Sequence, residues 1–229
     1  MESISVVFMG TPDFAVKPLE SLVKNGAEIV AAHVQVGTVL LHMPYIIFQH
    51  SLSDTASVHY VDFSTVAVDA SMSIGIFDDD LSGLNVLEAF LVADHFNNIT
   101  GKPGADGIQD FAGEHFLYLA DVANANYNEY VKRGNLDFLR ESVVRDALFL
   151  LDDAYYNQTL PYGVKQPAKL LVCADAAATT FGLSDVESLV KQTTLNVPVY
   201  GVVDAAVLRF LNLVRELPEA AIGILADPS

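Results

Sequence analysis

The chain has 229 residues, and 12 Lys plus Arg against 29 Asp plus Glu leave a formal charge of −17 at pH 7. Apolar residues are 52% and charged residues 18%, which excludes a disordered acidic tail, because such tails lack apolar surface to bury. With no basic face to meet phosphates, nucleic acid and an anionic membrane surface are disfavoured partners, whereas cations or a basic partner suit the charge.

The single cysteine, Cys173, excludes an intramolecular disulfide framework and a cysteine zinc cluster. The start, MESISVVFMG, lacks the basic and long apolar stretches of a secretory signal. The longest apolar stretch, Val39 to Phe48, is interrupted by His42 and Pro44 and is too short to span a bilayer. A soluble, cytoplasmic protein is therefore expected. From Asn25 to Gly101 there is no Lys or Arg, while nine acidic residues fall there.

In chain order, short apolar runs alternate with stretches of helical period, the pattern of βαβ units around a parallel sheet. Ser5 to Met9 reads as a strand, Phe14 to Lys24 as a helix after the Gly10-Thr11-Pro12 turn, and Glu28 to Val34 as a second strand. Residues 37–69 read as extended strand and loop. Ser73 to Phe77 is a predicted strand, Leu81 to Phe96 a helix, and Asn97 to Glu114 a long loop of the kind that forms lids or insertions. His115 to Ala120 reads as a strand, Leu136 to Tyr155 as a long helix and Lys169 to Ala174 as a strand. Ser184 to Gln192 is then helical, Val197 to Val203 a strand, Ala205 to Leu217 a helix and Ala221 to Ala226 a final strand.

Five of these strands end in Asp: Asp78, Asp121, Asp175, Asp204 and Asp227. Ligands of open α/β sheets bind outside the carboxyl ends of strands, and Asp79 and Asp80 bring the possible carboxylates there to seven. The competing reading is that Asp is a common helix N-cap after a strand. Oxygen ligands at Asp78, Asp79, Asp80 and Asp175, with Asp121 in reserve, suit Mg²⁺ or Ca²⁺. The nearest Lys residues, Lys165 and Lys169, precede their strand and are expected at its opposite end, away from a phosphate in such a site. The six histidines, His33, His42, His50, His59, His95 and His115, show no metal-ligand spacing and read as structural or exposed. Cys173 reads as a small core residue.

Two resemblances add to this. VVFMGTPDFAV at Val6, within residues 4–35, resembles the opening of methionyl-tRNA formyltransferase, but the His-Pro-Ser-Leu-Leu-Pro motif of that family does not occur. SIGIFDDDLSGLNVLEAF at Ser73, FLYLADVANANYNEY at Phe116, LLVCADAAATTFGLSDVESL at Leu170, VPVYGVVDAAV at Val197 and AIGILADP at Ala221 resemble, in order, segments of the aspartate/glutamate racemase family, and of glutamate racemase in particular. The resemblance implies an α/β fold with a parallel, doubly wound, flavodoxin-like sheet. It divides the chain into an N-terminal βαβ-like segment, 1–57, and a racemase-like lobe, 58–229.

It further implies an isomerase ancestry, a cofactor-independent interconversion of L- and D-glutamate of the kind that supplies cell-wall peptidoglycan. Asp175 falls at the family's first catalytic cysteine, with Asp78 kept as its loop Asp. Asp79, Tyr127, Asn128, Ala176, Ala177 and Thr179 fall at substrate-binding positions. The thiol is thus replaced, Ala176 and Ala177 delete two hydrogen-bonding side chains, and the family's second lobe and second cysteine have no counterpart. The expectation is a racemase-like lobe without turnover, whose small-molecule ligand, if any, is an amino acid. The alternatives are a divalent-cation-binding module on the acidic edge and a non-catalytic interaction protein. Self-association through the exposed lobe face is also expected.

Overall fold

The structure, a computed structural model, describes residues 4–10, 28–34, 71–157, 160–193 and 195–217. The expected helix at Phe14 to Lys24, the region 37–69 and the strand with Asp227 lie outside the described residues. Strands β1 (Ile4–Gly10), β2 (Glu28–Val34), β3 (Ser73–Asp78), β4 (Phe116–Asp121), β7 (Ala168–Cys173) and β8 (Val199–Gly201) form one sheet in the order β2-β1-β4-β3-β7-β8. Every pairing in it is parallel. Strands β5 (Ala154–Asn157) and β6 (Leu160–Val164) pair separately as an antiparallel hairpin. Within residues 73–201 the order β4-β3-β7-β8 is that of a flavodoxin-like sheet, and β1 continues it through pairing with β4.

The central strands carry the apolar runs that a parallel sheet needs when both of its faces are covered. All six positions of β3 and all six of β4 are buried. Alternation sends Phe77, Leu117, Leu119, Leu171 and Cys173 to one face. There they meet Leu139, Val143 and Ala147 of α3 (Leu136–Leu151) and Val186 and Leu189 of α5 (Leu183–Gln192), counting α1 as Leu84–Val92, α2 as Tyr127–Lys132 and α4 as Ala176–Phe181. Ile74, Ile76, Phe116, Tyr118 and Val172 take the other face, against Leu87 of α1. Phe90 and Phe111 close that side, with ring centroids 4.9 Å apart. Gly75 lets α3 lie close to β3, since a Cβ there would stand 2.9 Å from Ala168 Cβ and 3.2 Å from Leu150 Cδ1. Across the surface of that layer, Arg140 grips Asp185 in a two-pronged pair at 2.7 and 2.9 Å.

Several element ends differ from expectation for local reasons. Helix α1 starts at Leu84 rather than Leu81 because Ser82 is drawn into the preceding turn, its N–H donating to Asp80 Oδ1 at 2.6 Å. It stops at Val92, after which Asp94, Asp106 and Asp110 accept backbone N–H groups of the following loop. Helix α3 ends at Leu151, and residues assigned to its last turn by periodicity belong to the β5–β6 hairpin. Strand β8 has only three residues, because α6 (Val202–Glu216) begins directly after Gly201. A Cβ at Gly201 would overlap Thr179 and Leu183, so the strand-to-helix join depends on the missing side chain. No described helix is long and apolar enough to cross a membrane.

One ammonium group is buried at the far end of α3. Lys165 Nζ donates to the carbonyl of Asp152 and lies 4.9 Å from the Phe149 ring centroid. Burial pushes its pKa down to about 7, against the pull of Asp152 and Asp153. The folded state therefore binds this proton less tightly than the unfolded chain, and stability from this group rises with pH between about 7 and the ordinary lysine range. Lys165→Met should flatten that rise by on the order of 2–4 kcal/mol, measured as the difference between urea titrations of the two proteins at pH 7 and pH 10.

Candidate functional site

The chain leaves β3 for β4 on one side and returns from β4 to β7 on the other, so the winding reverses at β3. A crevice opens outside the carboxyl ends of the strands at such a reversal. Parallel register sets Phe77 beside Cys173 and Asp78 beside Ala120, so β3, β4 and β7 finish at one level. Each is followed by, or ends in, an aspartate.

Three of these carboxylates converge. Asp78, Asp79 and Asp175 each offer an oxygen, and the three oxygens lie within 4.8 Å of one another. Asp78 is 1% exposed, Asp79 7% and Asp175 9%. Asp78 is held on both oxygens, by the Asp79 N–H at 2.8 Å and the Ser82 hydroxyl at 3.0 Å. Asp79 Oδ2 accepts the Tyr127 N–H at 2.6 Å. Asp175 is the N-cap of α4, with Oδ1 accepting the Ala178 N–H at 2.5 Å. Gly83 completes the wall, because a Cβ there would stand 2.6 Å from Asp78 Oδ2 and 2.8 Å from the Tyr118 hydroxyl.

Electrostatics follows from that crowding. Burial pushes Asp78 up to about 7, with the charges of Asp79 and Asp80 adding to the rise and the Ser82 hydroxyl opposing it. Burial also raises Asp79, against the Tyr127 N–H, and Asp175, against the Ala178 N–H. Three carboxylates so close cannot all ionise without a counter-charge.

A second pair lies deeper. The Tyr127 hydroxyl is 2.6 Å from Asp146 Oδ2 and 3.2 Å from Asp121 Oδ2, and all three side chains are buried. A hydroxyl carries one proton. A protonated Asp146 donating to the Tyr127 oxygen, with Tyr127 donating on to Asp121, satisfies every member. Asp121 is the better supported anion, since Asn124 Nδ2 donates to both of its oxygens at 3.0 and 2.8 Å. Burial drives Asp146 well above the carboxylate range and Asp121 upward as well, while the Arg145 guanidinium opposes both.

The expected site residues divide as follows. Asp78, Asp79, Asp175 and Tyr127 come together. Asp80 is exposed and its Oδ1 serves the Ser82 N–H, so it stands outside the converging trio. Asn128 is exposed on α2, and its N–H donates to Asn126 Oδ1. Ala176 is exposed, Ala177 packs into the core, and the Thr179 hydroxyl is spent on the Asp175 carbonyl at 2.7 Å. Asp204 lies in the first turn of α6 and is exposed, rather than closing a strand. Lys165 and Lys169 fall before and at the start of β7, opposite the acidic edge. Cys173 is fully buried in the core, its pKa pushed far up by burial, with its thiol 3.5 Å from the Asp175 carbonyl. Sequence reasoning passed over Asp146, which sits inside the helix α3. An Asp among apolar residues at helical spacing was the one available signal.

The chain matches no family model, no curated protein and no solved structure.

The raised Asp78 pKa has a definite sign in stability. Its proton is held more tightly folded than unfolded, so its contribution is complete below about pH 4 and is lost as pH rises through about 7. Asp78→Asn should stabilise the protein at pH 8 by on the order of 2–4 kcal/mol and be nearly neutral at pH 4. Urea unfolding at the two pH values, with equal effects at both counting against the assignment, checks it.

Proposed function

We propose that the protein is a divalent-cation-binding α/β module whose ion is held by Asp78, Asp79 and Asp175. The observation that carries this reading is the convergence of three carboxylate oxygens within 4.8 Å at the topological reversal of the sheet. Oxygen ligands facing each other across Ca²⁺ stand roughly 4.6–5.2 Å apart, and across Mg²⁺ roughly 4.0–4.2 Å. Three oxygens no farther apart than 4.8 Å fit within the span of one such coordination shell. Each carboxylate has about four lone-pair positions, so the hydrogen bonds from Tyr127, Ala178 and Ser82 orient these groups without exhausting them. A cation would supply the counter-charge that the trio otherwise obtains from protons.

Proton and cation then compete for the same oxygens. Binding weakens as pH falls through about 7, where Asp78 takes up its proton, and binding near that pH displaces a proton from the trio. Saturation at about 100 times the dissociation constant stabilises a protein by ~2.7 kcal/mol, a rise of several degrees in Tm for a chain of this size. A thermal melt with millimolar Ca²⁺, and separately Mg²⁺, at pH 8 should show that rise. Asp79→Asn with Asp175→Asn should lose it, and it should shrink at pH 5.5. An unchanged Tm at pH 8, or a shift that survives the double substitution, would overturn the reading.

A second reading, the racemase-like lobe, draws on one observation. The segments around Asp78, Tyr127 and Asp175, which the resemblance assigned to one amino-acid pocket, meet through the Tyr127 N–H bond to Asp79 and the carboxylate trio. The chemistry is less favourable: two like charges at ~4 Å cost about 4 kcal/mol at an effective dielectric of 20, so a glutamate side chain meets repulsion there. The Cys173 thiol is core-buried and no thiolate. Under this reading the pocket holds an amino acid without racemising it. Deuterium from solvent should not enter Cα of glutamate or aspartate, as followed by proton NMR.

A further inference from the structure

The turn that carries Asp79 and Asp80 is anchored from below by a buried hydroxyl. Tyr118 lies on β4, is fully buried and belongs to the core on the α1 face of the sheet. It pairs in register with Ile76, two residues before Asp78, so its ring reaches from mid-strand to the acidic turn. There its hydroxyl donates to the Asp80 carbonyl at 2.8 Å. Gly83 leaves the space for that reach. Its φ of −63° and ψ of −9° suit any residue, so conformation does not demand a glycine. A Cβ there would stand 2.8 Å from the Tyr118 hydroxyl and 2.6 Å from Asp78 Oδ2, forcing the two groups aside.

We propose that Tyr118 is a positioning residue of the cation site, fixing through the Asp80 carbonyl the turn that presents Asp78 and Asp79 to the ion. The proposal rests on the cation reading above. Asp79 stands between two anchors from opposite faces of the sheet. The Tyr127 N–H, from the α3 side, holds its carboxylate at 2.6 Å, and the Tyr118 hydroxyl, from the α1 side, holds the next carbonyl. Ser82 closes the same turn, with its hydroxyl on Asp78 and its N–H on Asp80.

The chemistry of a phenol suits this place. Burial pushes the Tyr118 pKa far up, and the charges of Asp78, Asp80 and Asp79 add to the rise. The hydroxyl therefore keeps its proton beside three carboxylates and stays a donor. It brings no charge to the rim, and it acts through the backbone rather than as a ligand. Without it the Asp80 carbonyl loses its partner and the turn gains freedom. The ion must then order Asp79 as it binds, and affinity falls by that cost.

Isothermal titration calorimetry of the full chain with Mg²⁺, and separately with Ca²⁺, at pH 8 tests it. Tyr118→Phe keeps the ring and should raise the dissociation constant about tenfold over wild type. Leu189→Ala, a truncation in the core against α5, should lower Tm by at least as much. Its dissociation constant should stay within about twofold of wild type, because the site is untouched. That split separates positioning from plain loss of stability. Gly83→Ala, whose methyl crowds the same hydroxyl, should also weaken binding. Wild-type affinity in Tyr118→Phe or in Gly83→Ala would overturn the proposal and leave the cation reading standing. Leu189→Ala binding as weakly as Tyr118→Phe would overturn it too. A wild type that binds neither ion would overturn the cation reading, and this proposal with it.

Discussion

The parallel pairing of β3 with both β4 and β7 is the constraint from which the rest of the molecule follows. It buries β3 on both faces and both edges, which requires the uninterrupted run Ser73–Asp78. It also makes three neighbouring strands end together, because parallel strands in register share one carboxyl edge. A sequence that closes each of them with an aspartate therefore concentrates negative charge where the winding reverses. The charge there is largely hidden from water, with Asp78, Asp79 and Asp175 all buried. Desolvation and mutual repulsion then act in the same direction on Asp78, Asp79 and Asp175.

Two different solutions to that problem sit side by side. The inner pair, Asp121 and Asp146, meets the Tyr127 hydroxyl, and Asn124 donates to Asp121, while the Arg145 guanidinium opposes the rise that burial causes in both. The outer trio has hydrogen bonds that orient it but opposing charges that remain unbalanced. Tyr127 belongs to both, giving its N–H to Asp79 and its hydroxyl to Asp146. Helix α2 is thereby pinned at its first residue.

Much of this was legible in the sequence, and the boundary of legibility has a physical cause. The strands β1, β2, β3, β4 and β7 were legible as short apolar runs, and in β3 and β4 every position of the run is buried. Asp78, Asp79 and Asp175 were legible because they end such runs. The lengths of α1 and α3 were not, because apolar periodicity continues past the point where Ser82, or the pairing of β5 with β6, stops the helix. Asp80 illustrates the limit of composition: adjacent in the chain to two buried carboxylates, it faces water, and only the turn at Ser82 decides that. Asp146 illustrates the reverse. Nothing near it in sequence marks its partners, since Asp121 and Tyr127 come from another strand and another helix.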